Sequence, residues 1–120
     1  MILVVAKPGR LREALCALLK ATFWPELISP VDDGPAALKL VVEHNPILVL
    51  LDSHWPDDEV RVMVGQIKLE RPETRCLVLA DTVAQLQVAK SAGADEALPK
   101  GFPTMNLLNV VNKLIAWEEL

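Results

Sequence analysis

Cysteine is scarce in this sequence: Cys16 and Cys76 are the only two among 120 residues. Each falls inside an apolar segment rather than in a paired, metal-like spacing. A disulfide framework is therefore not expected, and both thiols read as reduced core fillers of a cytosolic protein. Long apolar runs are missing as well. The opening MILVVA stops at Lys7, and no later run approaches the roughly 18 apolar residues of a membrane span. Nor is there a surplus of positive charge. Lys and Arg number 12 against 16 Asp and Glu, a formal net charge of −4, and they are scattered among the acids with no basic stripe to neutralise a phosphate backbone. Direct nucleic-acid binding and membrane insertion are both disfavoured. Without linker, repeat or low-complexity tract, the chain reads as one soluble, cytoplasmic domain over residues 1–120. That length suffices to bury about two-thirds of the unfolded surface without staples.

What is present is a repeated alternation. The run ILVLL at residues 47–51 leads straight into Asp52, then a short polar segment and Pro56. Five branched or aliphatic residues in a row suit a strand buried on both faces, as in a parallel sheet covered by helices. Similar runs occur at residues 2–6, around 27–29, at 76–80 and around 96–98, each separated from the next by enough chain for a helix. Between them, Leu11, Ala14, Leu15, Leu18 and Leu19 recur at helical spacing, as do Ala37, Leu38, Val41 and Val42. Val62, Ile67 and Leu69 do so more loosely. Helix starts are punctuated: Asp33-Gly34-Pro35 offers a cap followed by proline at the first helical position. Thr82 with Gln85 is a capping-box pattern opening a helix over 83–92, which Gly93 closes. Because crossovers between parallel strands are right-handed almost without exception, five such units place helices on both faces of a five-stranded sheet.

Ligands of open parallel sheets sit outside the carboxyl ends of the strands. Those ends gather Ala6, Lys7, Asp52, Ala80, Asp81 and Lys100. Taken alone, Asp52 equally suits a loop-starting aspartate that bonds its own backbone. Lys100 alone would be a solvated surface lysine.

The motifs together are more specific. ILVV at the start, ILVLLD followed by three residues and Pro56, then LVLA and GADEALPKGF resemble the receiver domain of two-component response regulators, over the whole chain. The resemblance implies an α/β, three-layer flavodoxin-like (βα)5 fold with a parallel sheet of order 2-1-3-4-5. It also implies that Asp52 stands where the family accepts a phosphoryl group from a histidine kinase, and Lys100 where the family contacts the phosphoryl oxygens. The residue types suit that chemistry, since a carboxylate can attack phosphorus and a lysine can neutralise the transferred charge.

The departures are concentrated at the same edge. Where the family has two acidic residues that help hold Mg²⁺, this chain has Ala6 and Lys7. Losing both carboxylates and adding an ammonium should remove the metal site. Ala80 replaces the hydroxyl residue after strand four, Ala97 the switching aromatic, Gly101 the proline after the lysine, and Val60 the glycine late in the third loop. Lys7 either stands in for the cation beside Asp52 or points into solvent. Asp81 either pairs with Lys7 or Lys100 or simply starts a helix. His54 could lend a backbone carbonyl to the pocket.

The remaining polar residues read as structural. His44 and His54 have no ligand partner at metal spacing. Asp57, Asp58 and Glu59 suit a helix N-terminus, and Asp32 and Asp33 a turn and cap. Trp24 and Trp117 are packing or interface groups. The last helix, placed over 104–118, spreads Leu107, Leu108, Val110, Val111, Leu114, Ile115 and Trp117 over half its circumference. The expected interface is therefore Leu107, Val110, Val111, Leu114 and Trp117, used for a homodimer or a partner signalling protein, the alternative being a broad core contact.

Three functions remain in view. The first is a non-enzymatic pseudo-receiver that dimerises or docks and needs no cofactor, an output domain beyond residue 120 being left open. The second is a working receiver that takes phosphate from a histidine kinase at Asp52 and so uses Mg²⁺. The third is an aspartyl phosphohydrolase, which would want a second aspartate where His54 stands.

Overall fold

A computed structural model of the chain describes residues 1–52, 55–101 and 104–119, the side chains of residues 104 and 116–119 excepted. Each apolar run forms a strand: β1 (Ile2–Val5), β2 (Ile28–Val31), β3 (Leu48–Asp52), β4 (Arg75–Ala80) and β5 (Glu96–Pro99). They make one parallel sheet in the order β2-β1-β3-β4-β5. The central strand β3 is buried along its whole length. Its in-register neighbours are equally apolar, Val5 beside Leu51 and Leu51 beside Val78. Continuous apolar runs win over alternation here because both faces of a parallel sheet are covered.

Five helices cover it: α1 (Arg10–Thr22), α2 (Gly34–His44), α3 (Asp57–Glu70), α4 (Val83–Ser91) and α5 (Thr104–Glu119), with a short 3-10 turn at Pro25–Leu27. One core layer joins Leu3, Val49, Leu51 and Val78 to Val41 of α2, Val64 and Ile67 of α3 and Ala89 of α4. The other joins Ile2, Leu50, Leu77 and Leu79 to Leu15 and Leu19 of α1 and Leu107 and Val111 of α5.

The local signals act as expected at the helix ends. Asp33 accepts from the Ala36 amide at 2.9 Å. Thr82 and Gln85 form the complete capping box. Gly93 takes φ 106, a left-handed conformation that a side chain would resist. There the amides of Gly93 and Ala94 reach the carbonyls of Lys90 and Ala89, closing α4 with paired bonds.

Two helix readings need correction. The core face of α3 is Val60, Val64 and Ile67, whereas Val62 and Leu69 are 55% and 78% exposed. Val60 therefore belongs to the first turn of α3 rather than to a loop. On α1, Leu11 is exposed and the core face is Leu15, Cys16 and Leu19. Both helices carry apolar residues on two faces, so a stripe can be drawn along the wrong one.

At the edge of the sheet opposite Asp52, Asp95 ties β4, β5 and α3 together. Its carboxylate accepts from the Cys76 amide at 2.8 Å and from Lys68 Nζ at 3.0 Å, with Arg75 at 3.5 Å. Lys68 Nζ also reaches the carbonyls of Pro72 and Thr74. Asp95→Ala should lower the urea midpoint by the equivalent of about 2–3 kcal/mol, since a half-buried amide and ammonium lose a charged acceptor. A loss under about 0.5 kcal/mol would mean that solvent replaces the carboxylate at little cost. Burial pushes the Cys76 thiol up to about 12, outweighing the opposing charge of Lys68, in keeping with an inert core thiol.

Candidate functional site

The strand register builds the site. Val5 lies beside Leu51, so the next residues along β1 and β3, Ala6 and Asp52, come side by side at neighbouring strand ends. Asp52 is itself the last residue of β3, pairs with Leu79, and is only 6% exposed. Ala80 pairs with Pro99, and the Lys100 amide donates to the Ala80 carbonyl at 2.8 Å, which fixes where the lysine side chain starts.

From there Lys100 spans two carboxylates. Its Nζ lies 2.5 Å from Asp52 Oδ1 and 3.1 Å from Asp81 Oδ1. The Lys100 side chain is 24% exposed, whereas that of Asp81 is 51% exposed, so the inner pair is shielded and the outer one wet. Burial alone would lower the lysine pKa. The hydrogen bonds and charges of Asp52 and Asp81 outweigh it and hold Lys100 above its ordinary value. The ammonium is thus firmly charged at neutral pH, and the carboxylate it faces is already neutralised.

The other expected pocket residues divide. Ala6 and Ala80 are buried and line the edge with methyl groups. Lys7 is exposed and forms no ion pair with Asp52, so the stand-in cation is Lys100, and Asp81 pairs with Lys100 rather than with Lys7. The position after β1 favours this outcome, because Lys7 lies beyond the strand end and its stem has no cover. His54 lies outside the described residues. Gly101 takes φ 84, and no peptide bond among the described residues is cis, so the Lys100–Gly101 bond is trans. Ala97, on β5, is buried in the α2–α3–α4 core layer.

Arg12 was not anticipated. Its guanidinium donates to the Ala6 carbonyl at 3.2 Å and to Asp32 at 2.5 Å, tying α1 to the loops after β1 and β2. Asp32 is therefore an ion-pair partner as well as a turn residue. The only trace in the sequence is a cation at a position of α1 close to the core-facing stripe.

Mg²⁺ wants near-octahedral oxygen ligation. Beside Asp52 stand a methyl at Ala6, an ammonium from Lys100 and, on Asp81, a carboxylate already paired. Among the described residues no group of three or more His, Cys, Asp or Glu could hold a metal ion.

The expected interface on α5 is narrower than its wheel suggested. Leu107 and Val111 are 2% and 0% exposed and serve the α1–α5 core layer, because α5 lies flat on the sheet beside α1. Val110 and Leu114 are partly buried against the same layer. The Trp117 side chain lies outside the described residues.

No family model matches the chain. Its sequence is 31% identical over 116 residues to the response regulator MprA of Mycobacterium sp. strain KMS, a match covering 95% of this chain and 50% of the relative. The chain thus spans about half the length of the curated relatives it matches. Among solved structures, the receiver domain of NtrX from Brucella abortus superposes with a TM-score of 0.82 at 21% identity, covering 97% of this chain and 98% of that one. A CheY-like receiver domain protein from Methanospirillum hungatei JF-1 gives 0.85 at 18% identity, covering 98% and 94%. Among the described residues no helix is long and apolar enough to cross a membrane. Sequence likeness over 95% of the chain, strand order and an aspartate at the end of β3 facing the lysine after β5 make the chain similar to the receiver domains of response regulators.

Proposed function

We propose that this receiver domain is a pseudo-receiver, a cytoplasmic interaction module of two-component signalling that works without Mg²⁺-dependent phosphorylation. One observation carries the reading: Lys100 bridges Asp52 and Asp81 while Ala6 and Lys7 stand where carboxylates would be required. An aspartate already paired with an ammonium and flanked by a methyl has little to gain from a divalent ion. Its nucleophilic lone pairs are also partly engaged. The lost hydroxyl at Ala80 and the lost ring at Ala97 fit the same reading, since a phosphoryl group would find neither its usual contact nor its usual switch. Signalling then runs through protein contacts with a histidine kinase, an output domain or a second copy. A homodimer through α5 would have to use Val110, Leu114 and Trp117, because Leu107 and Val111 are spent on the core.

A second reading, phosphoryl transfer from a kinase histidine to Asp52, is favoured by the survival of Asp52 and Lys100 in register. Trp55, three residues past Asp52, separates the two. Its fluorescence should show no saturable change with millimolar Mg²⁺. A saturating change that vanishes in Asp52→Ala would favour the second reading.

A further inference from the structure

Three of the large apolar side chains left exposed lie on the same two helices. Val42 of α2 is 41% exposed, and on α3 Val62 and Leu69, seven residues apart, are more so. Val62, with the half-buried Leu38, Trp55 and Met63, lines a groove of about 570 Å³ between α2 and α3, and Val42 and Leu69 lie further along the same two helices. Val42, Val62 and Leu69 are not needed for the core, which takes Ala37, Val41, Val60, Val64 and Ile67, with Leu38, Trp55 and Met63 packed against its margin. α2 is 11 residues long, roughly 16 Å, so a helix of about three turns seated in the groove would run on along the face of α2 towards Val42. A face of this kind is what an amphipathic helix fills with anchors spaced i, i+4 and i+7.

Charge selects the occupant. Asp33, Asp58 and Glu59 stand at the end of the groove nearest Asp52, all from helix N-terminal positions. Arg61 meets Asp58 at 3.8 Å, but both side chains are largely in water and the pair offsets little. At the other end Glu43 and Glu70 are exposed, while the Arg71 guanidinium is committed to the carbonyls of Val42 and Glu70. A second copy presenting this face in a two-fold contact would bring acid against acid at both ends. We propose that the α2–α3 groove is a docking site for a basic amphipathic helix of another protein, with apolar anchors seated between Leu38, Val62 and Met63 and Lys or Arg facing Asp33, Asp58 and Glu59. This goes beyond the pseudo-receiver reading and does not depend on it, since the groove is present whatever the chemistry of Asp52. The groove also borders the chain leaving β3, because Trp55 is both a lining residue and three positions past Asp52.

The test uses the whole chain and a synthetic amphipathic helix of leucine and lysine, with a leucine–glutamate helix as control, followed by amide and indole shifts in ¹⁵N spectra. The lysine peptide should saturate with shifts confined to α2, α3 and the Trp55 indole, weaken as salt rises, and find no counterpart with the glutamate peptide. Val62→Gln with Leu69→Gln, both on exposed helix positions and so compatible with folding, should weaken binding at least about tenfold, and Asp58→Lys with Glu59→Lys by a similar factor. A third variant is independent of charge. A Cβ at Gly34 would meet Met63 Sδ at 2.5 Å, so Gly34→Ala should push that flexible thioether into the groove and also weaken binding. Absence of binding, non-saturating shifts spread over the surface, shifts centred on α5, or unchanged affinity in the Val62/Leu69 variant would each overturn the proposal. So would concentration-dependent shifts in the α2–α3 face without peptide, which would assign the groove to a second copy.

Discussion

Lys100→Met should destabilise the protein by about 2–3 kcal/mol at neutral pH, while Asp52→Asn costs less and the double variant recovers part of the lysine loss. Removing the ammonium leaves a carboxylate that is 6% exposed without its counter-ion. Breaking such a pair from one side costs about 3–5 kcal/mol when fully buried, less here because Lys100 is partly wet. Removing Asp52 instead leaves Lys100 with Asp81 at 3.1 Å, so no charge is stranded. The coupling between the two sites, read from urea midpoints in a double-mutant cycle, is the quantity of interest. Neutral pH samples the clamp at full strength. The folded pKa of Lys100 is raised above 10.5, so its stabilisation is fully present below that value and is lost only as pH rises through the raised one. Equal losses for Lys100→Met and Asp52→Asn, with additive effects in the double variant, would mean that the clamp contributes nothing specific.

Replacing Ala6→Asp together with Lys7→Asp should create saturable Mg²⁺ binding where the unaltered domain is expected to show none. Residue 6 neighbours Asp52 across adjacent strand ends, so a carboxylate there creates the acidic corner that a divalent ion relieves. Lys100 can yield Asp52 to the metal because Asp81 remains as its partner. Reaction with a small phosphodonor should follow only in part, and the modified state should be poorly transmitted, since Ala80 brings no hydroxyl and Ala97 no ring. A folded double variant that binds no Mg²⁺ would show that the first loop does not present its side chains to Asp52.

Much of this architecture is legible in the chain because a parallel sheet buried on both faces needs uninterrupted apolar runs, and this one has them. Strand boundaries shifted by a residue or two, as at β2, where Pro30 sits in an edge strand that tolerates its missing amide. Caps were legible because Asp33, Thr82, Gln85 and Gly93 act within a few residues of their own position. The site was half legible. Sequence order brings Asp52, Ala80 and Lys100 to one edge, but a lysine stem long enough to reach two carboxylates leaves its choice of partner to geometry, and Arg12 joins the edge through a side chain from α1. The helix faces were hardest. On α3 both Val60–Val64–Ile67 and Val62–Leu69 are apolar sets, and only packing decides which turns inward. On α5 the width of the apolar arc suggested an interface, yet Leu107 and Val111 are needed by the layer that α5 shares with α1.

A pocket in which Lys100 holds Asp52 and is itself held by Asp81 should not take a phosphoryl group. Intact-mass spectrometry of the unaltered chain after incubation with acetyl phosphate, with and without millimolar Mg²⁺, tests it most directly. An unmodified mass is expected under both conditions. A Mg²⁺-dependent phosphoryl adduct that disappears in Asp52→Asn would contradict it.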